Sequence, residues 1–500
     1  MRLFRAIFSV TGFTVLLTLV LLQGCAPVGP DYKKPRIQTP DAWQKAVSQE
    51  LALKSEASLQ TWWQIFDDPI LNSLIQEART SNLDVQIAVA RISESRARFG
   101  IATGKRLPVL NAKGSARLLK HSDNGAFKQM APPGGFTNQT MFSLHADALW
   151  ELDVFGRIRR KIEAAGAEYE ASIDDYRDVL VTLLAEVALA YVDIRSYQQR
   201  IFFAKANAAA QKEMFKLTKH RYESGIGSKL DVAQARSNLA NTEAAIPHLE
   251  ISFNSTINRL AVLLGRNPGT LQEKLVKPGM IPSPKDGIGI GVPADILRQR
   301  PDIRQAERKL AAHTALIGAA TAMLYPRFAI KGFFGFETDS LRDLSGLSSA
   351  AWGIQIPIEW NIFDADRIRN WINVREEIVK QDFLSYRNTV LMATEEVENA
   401  IVAHNQEQIR RKWLKEAVDA TREAVELVIV QYNTGLTDFN NVLDTQRTLF
   451  DQQDKLVDCE AQVVLDLIKL YKALGGGWAI NKEPASPAAK PEKVSPTRSM

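Results

Sequence analysis

Five hundred residues are enough for two or more ordinary domains, and 45% hydrophobic with 24% charged residues allows a substantial buried core. The net charge of +5 drops to +3 if Arg2 and Arg5 belong to a removed leader, too little to argue for nucleic acid or an acidic partner.

At the N-terminus, Arg2 and Arg5 precede an apolar run, Ala6 to Leu22, that ends in Leu22-Gln23-Gly24-Cys25. The arrangement resembles a bacterial lipoprotein signal, in which the cysteine is acylated after cleavage. At about 17 residues the run is short for a membrane span. Residues 1–24 therefore read as a signal peptide and Cys25 as a lipidation site. If the lipoprotein pattern holds, Ala26, not Asp, after the cysteine favours passage to the outer membrane. Residues 25–58, with Pro27, Pro30 and Pro35 around Asp31-Tyr32, read as an extended leader. Cys459, the other cysteine, reads as a small buried helix residue. With Cys25 acylated, neither an intramolecular disulfide nor a cysteine-based metal site can form.

The rest of the chain reads as one unit written twice. Asn82 to Gly114 lies over Arg300 to Gly332 at an offset of 218, pairing Asp84 with Asp302, Pro108 with Pro326 and Gly114 with Gly332. Asp153-Val154-Phe155 meets Asn361-Ile362-Phe363 at 208. Arg157-Ile158-Arg159 meets Arg367-Ile368-Arg369 at 210, and that offset holds through Tyr222 and Tyr432, Gly225 and Gly435, and Gly265 and Gly475. The expected division is 59–265 for the first repeat, 266–293 for a Pro- and Gly-rich linker, 294–475 for the second repeat and 476–500 for a flexible tail.

Prolines outline the helices, since none occurs between Pro133 and Pro247 or between Pro357 and Pro484. From Ile158 to Ile201 apolar residues recur at a helical period. Arg157 to Tyr222 would span roughly 100 Å, as would Arg367 to Tyr432. Each long helix stops at a glycine turn, Glu223-Ser224-Gly225 or Asn433-Thr434-Gly435. A returning helix follows each, about Ser228 to Leu264 and Asp438 to Leu474, and Pro247 could kink the first.

Where helices stop, strict alternation begins. Expected strands fall at about 107–119, 140–155, 325–338 and 350–363. Leu110, Ala112, Gly114, Ala116 and Leu118 alternate with Asn111, Lys113, Ser115 and Arg117, and the other three stretches behave alike. Alternation over about ten residues with terminal aromatics is the pattern of a transmembrane β-strand; the alternative is a half-buried soluble sheet. Four strands are too few to close a membrane barrel, for which about eight is the minimum, and open edges are not tolerated in lipid. Spanning strands would therefore require copies to share one barrel, without fixing two copies or three.

Cys25 to Tyr32, Trp62-Trp63 with Phe66-Asp67-Asp68-Pro69, Trp150 to Gly156, Arg300-Pro301-Asp302-Ile303, and Gly435 followed by Val442-Leu443-Asp444-Thr445-Gln446 form a set of motifs spread over nearly the whole mature chain. Through them the chain resembles the TolC-like outer-membrane factor family, in its lipoprotein branch paired with RND-type efflux systems (NodT and OprM relatives). The resemblance implies a mainly α fold with a transmembrane β-barrel: a homotrimer with a shared twelve-stranded barrel and an α-helical tunnel through the periplasm. Partners would be a periplasmic adaptor, an inner-membrane RND-type transporter and outer-membrane lipid. In such a channel Lys113, Arg117, Asp147, Glu151, Arg327, Lys331 and Glu359 would face the aqueous lumen. The turns with Gly225, Gly227 and Gly435 would form the periplasmic tip. Asp438 is the candidate for an acidic ring that gates it, or else an ordinary helix N-cap.

Enzyme signatures fail. Gly100-Ile101-Ala102-Thr103-Gly104-Lys105 has three residues between its glycines rather than the four of a phosphate loop, and Arg106 follows where Ser or Thr belongs. Gly287-Ile288-Gly289-Ile290-Gly291 is not a dinucleotide fingerprint, and the six histidines are scattered. No catalytic residue, cofactor or metal is expected. Two other readings remain: a duct for type I protein secretion, and a lipid-anchored coiled-coil scaffold without a pore.

Overall fold

A computed structural model describes residues 27–37, 43, 57–126, 128–130, 132–284 and 299–478. The signal peptide, Cys25 and the tail beyond 478 lie outside the described residues. In chain order the main elements are α1 (Pro69–Ser81), α2 (Leu83–Gly104), β1 (Val109–Leu119), β2 (Gln139–Glu151), α3 (Arg157–Glu223) and α4 (Lys229–Leu263). There follow α5 (Pro301–Thr321), β3 (Arg327–Thr338), β4 (Ala350–Gln355), β5 (Ile358–Glu359), α6 (Arg367–Asn433) and α7 (Phe439–Ala473). The chain divides into two compact units. One holds the described residues up to Pro35 with Glu94–Ala171 and Ala306–Ser385, and the other holds the rest.

The first unit contains the sheet, an antiparallel meander in the order β1-β2-β3-β4. The fourth stretch differs from the expected single strand, because β4 stops at Gln355 and β5 resumes at Ile358. The register does not slip: Gln355 opposes Lys331 and Glu359 opposes Arg327. The gap holds Pro357, whose carbonyl still accepts from the Ala329 amide at 3.2 Å. Proline has no N–H to return the second bond of that pair, so the ladder breaks there. At the far end of β2 the chain leaves the sheet at Asp153, whose φ is 36°. The Asp153 carboxylate accepts from the amides of Ile158 (2.7 Å) and Arg159 (2.9 Å), satisfying two orphan donors at the start of α3. In the second repeat Asp364, not the aligned Asn361, does this work, accepting from Ile368 at 2.8 Å.

The second unit is helical. Its core stacks Trp62 on Tyr471 at 5.5 Å, with Leu184, Ile194, Ile257 and Leu260 fully buried. Asp68 caps α1 through the amides of Ile70 and Leu71 and accepts from the buried Tyr191 hydroxyl at 2.6 Å. Arg300 ties the start of α5 to Asp302, to Glu396 on α6 and to the Ala473 carbonyl that ends α7. Close to that arginine, burial and the neighbouring Asp302 push the Asp178 carboxyl up to about 6. Helix α4 runs unbroken through Pro247, which stands exposed on its surface.

Candidate functional site

The sheet is two-faced because cross-strand partners share a side. Leu110, Ala148, Gly332 and Ile354 lie in one row, and Ala112, Ala146, Phe334 and Trp352 in the next. This face is apolar except for Thr140 and Thr338 at one end, and it is uncovered, with Trp352 at 73% and Ile354 at 75% exposure. A soluble protein rarely leaves such a patch open, whereas hydrocarbon would cover it without cost. Along one end, two indoles pin strands to the preceding helices. The Trp150 Nε1 donates to the Arg106 carbonyl at 2.9 Å and the Trp360 Nε1 to the Leu324 carbonyl at 3.0 Å.

The opposite face carries the charges. Asp147 binds Lys113 at 2.8 Å and accepts from Asn111 at 3.2 Å. Ser115 and Ser143 hydrogen-bond at 2.8 Å, and Arg327 pairs with Glu359. Glu151 takes a two-point contact from Arg157 on α3, at 3.0 and 2.5 Å. By register Arg117 and Lys331 belong to the same side. So do Leu149 and Phe333, each more than two-fifths exposed, so this face is charged without being wholly polar.

At the other group of candidate residues, both long helices end alike. The Gly225 amide bonds the Tyr222 carbonyl and the Ile226 amide bonds that of Arg221; Gly435 and Leu436 repeat this with Tyr432 and Gln431. These are paired Schellman turns, and φ values of 74° and 78° account for glycine at 225 and 435. Gly227 differs: its φ is not positive, and Thr437 holds the corresponding place. The two returning helices also start differently. Ser228 forms a capping box with Asp231, whereas Asp438 stands at the N-cap of α7 with extended backbone and no side-chain cap bond. Asp438 thus holds the N-cap position expected as the alternative, its carbonyl accepting from the Asn441 amide at 3.2 Å, without the side-chain bond that Ser228 makes.

Two further contacts carry no signal in the sequence. The Arg221 guanidinium lies 4.7 Å from the Tyr432 ring centre and donates to the Tyr432 carbonyl at 3.3 Å, joining the ends of α3 and α6. Beneath it Tyr432, Phe439, Val442, Leu443 and Met214 form a buried apolar cluster. In the first unit, residues 27–34 form a docked strap. Arg160, 3% exposed, donates to the carbonyls of Val28 (3.2 Å) and Gly29 (3.3 Å) and to the Asp31 carboxylate (2.7 Å). Tyr32 donates to Glu307 at 2.8 Å, and Lys34 pairs with the same carboxylate. Gly29, at φ 88°, sits so close to Gly318 that a Cβ on it would lie 2.4 Å from the Gly318 Cα.

The chain as a whole is similar to known proteins. A family model described as outer membrane efflux protein matches residues 74–266 and 292–476. The chain is 30% identical to Nodulation protein T of Rhizobium leguminosarum bv. trifolii over 479 residues, 94% of this chain and 98% of that protein. It is 30% identical to the toluene efflux pump outer membrane protein TtgF of Pseudomonas putida over 468 residues, 92% of this chain and 95% of the other. Among solved structures, the outer-membrane channel OprN gives a TM-score of 0.85 at 35% identity, covering 90% of this chain and 99% of that one. The open-state MtrE outer membrane channel of Neisseria gonorrhoeae gives 0.76 at 26% identity, covering 91% and 99%. The family match spans both repeats and most of the chain, which belongs to the outer membrane efflux protein family.

Proposed function

We propose that this outer-membrane efflux channel works as a homotrimer, each copy giving its β1-to-β4 path to one barrel of twelve strands. It would be the passive exit duct of a tripartite system, joined to a periplasmic adaptor and an inner-membrane RND-type transporter that does the driving. No catalytic step is needed for this role. The observation that carries the reading is the two-faced sheet whose outer strands, β1 and β4, have no further partner among the described residues. In lipid an unpaired edge leaves backbone donors and acceptors without bonds, so edges must meet edges of other copies.

On this reading Lys113, Arg117, Asp147, Glu151, Arg327, Lys331 and Glu359 line the lumen, while the Trp352 face meets lipid. Acylated Cys25 adds a second hold on the membrane. The paired glycine turns form the periplasmic tip, where three copies of Asp438 would converge and repel. The Arg221–Tyr432 contact would resist separation of the two helix ends. Export of small molecules is favoured over protein secretion because the curated efflux relatives include a toluene pump component.

The test combines two measurements on the purified protein. A heat-stable trimer band with single-channel conductance in planar bilayers is the expected result. A monomer that conducts nothing would refute the channel reading in favour of a scaffold. Complementation of a strain lacking its own outer channel separates the pathways: drug resistance restored with an RND pump supports efflux, and protein export alone overturns it.

A further inference from the structure

The foot of the sheet, where β2 gives way to α3, holds more positive charge than its carboxylates can match. Glu151 is taken by the two-point contact from Arg157. By register Glu151 stands opposite Ala329, which puts Arg327 and Lys331 on its two diagonals at roughly 7–8 Å. Arg327 already pairs with Glu359, and Asp147, on the other diagonal of Lys331, is held by Lys113. Lys161 lies one turn beyond Arg157 on the same flank of α3, and Lys105 follows the last turn of α2. The ammonium groups of Lys105, Lys161 and Lys331 take no hydrogen bond or ion pair among the described residues. The next carboxylates along the chain, Asp153 and Glu163, are occupied by Arg159 and Arg160. Three lysines per copy are thus left without an acid.

The internal repeat shows that this excess is not required by the fold. In the first repeat Asp147 balances Lys113; at the 208-residue offset its place is taken by Gln355, directly opposite Lys331. The equivalent of Lys161 at the 210-residue offset is Trp371, whose ring packs against Arg375 at 4.5 Å. Lys161 is half-buried. Its burial, with Arg157, Lys105 and Arg327 nearby, holds the ammonium below its ordinary value, and Glu151 alone opposes them. An oxyanion placed among these groups would supply the missing negative charge, and guanidinium and ammonium donors suit phosphate and carboxylate oxygens.

We propose that Arg157, Lys161, Arg327 and Lys331 form an anion-binding collar at the foot of the barrel, which takes the phosphate or carboxylate group of a solute in the lumen. The inference rests on the lumen reading and adds the charge class that the duct favours. Three copies would set three such patches around one passage, concentrating anions there and turning small cations away.

Inorganic pyrophosphate is the probe, on the full-length protein. In bilayers of neutral lipid it is expected to block single channels, and Lys161→Gln should raise the half-blocking concentration about tenfold. Lys161→Arg, which keeps the charge, should restore the block. Lys331→Gln should weaken it as well and serves as a second variant if the first disturbs folding. Across a KCl gradient the wild type should prefer chloride, and both neutral variants should prefer it less. In detergent, pyrophosphate should raise the Tm of the wild type and leave that of Lys161→Gln unmoved. A conducting wild type that pyrophosphate neither blocks nor stabilises overturns the collar and leaves the channel standing. A wild type that does not conduct removes the channel reading, and the detergent measurement then decides the site alone. Stabilisation by phosphatidylglycerol but not by pyrophosphate overturns the lumen solute in favour of a lipid headgroup.

Discussion

Replacing Gly29 with alanine should release the strap formed by residues 27–34. A Cβ there would stand 2.4 Å from the Gly318 Cα, a separation that real contacts do not tolerate, and φ 88° adds about 1–2 kcal/mol of left-handed strain. The strap can only lift. Arg160 then loses two carbonyl acceptors while keeping Glu163 at 2.8 Å, so a buried guanidinium is left partly unpaired. Two bonds to a charged donor at about 1.5 kcal/mol each give roughly 3 kcal/mol, with the exposed Asp31 adding little. That weakens docking about 100-fold. The Lys34–Pro35 bond resists trypsin, so the reporting site is the bond after Lys33, inside the strap; initial cleavage there, followed by mass spectrometry, should rise by a similar factor when the strap is released. Gly318→Ala attacks the same contact from the other side, since its Cβ would lie 2.7 Å from the Val28 carbonyl oxygen. Unchanged cleavage in both variants would refute the reasoning.

Other perturbations have definite directions. Asp178 is raised to about 6 from an ordinary 3.8, so the folded state holds the proton more tightly and loses stability as pH rises from about 4 to about 6. Asp178→Asn, the residue found at the repeat-equivalent Asn388, should therefore stabilise the protein at pH 7.5, with the gain in Tm shrinking toward pH 4. Arg221→Ala removes the stacked contact with Tyr432 and should increase the open time of single channels; an unchanged record would show that the contact does not hold the tip. Asp438→Lys should alter conductance and drug susceptibility if the three carboxylates form the gate, and leaving both unchanged would count against it. Pro357→Ala restores the donor facing the Ala329 carbonyl and should raise the midpoint of thermal unfolding, by an amount corresponding to about 1 kcal/mol.

Much of the fold is legible because its signals are local and periodic. The two long helices, α3 and α6, are announced by a 3.6-residue rhythm unbroken by proline, and the strands by alternation. The interruption at Pro357 escapes such a reading because Ile356 and Ile358 keep the alternation going, while the missing N–H is invisible to a hydropathy pattern. The same bias aligns Asp153 with Asn361, although the turn before α6 is longer and its cap falls on Asp364. At the ends of α3 and α6, glycine at 225 and 435 can be read from the need for a left-handed stop, but Gly227 carries no such signal. Whether Asp438 bonds its own helix depends on a side-chain torsion that no spacing encodes. The Arg221–Tyr432 and Arg160–Gly29 contacts join residues far apart in the chain, and only the packed structure brings them together.

The open edges of the sheet also bear on inheritance. In a ring built head to tail, each copy offers one edge and receives another, so a copy with a ruined β1 edge spoils a joint in every ring it enters. If a cell made sound and damaged copies equally and mixed them freely, only about one trimer in eight would be wholly sound. A faulty second copy of the gene would then silence most of the product of the good one, whereas a copy too damaged to fold at all would do no harm.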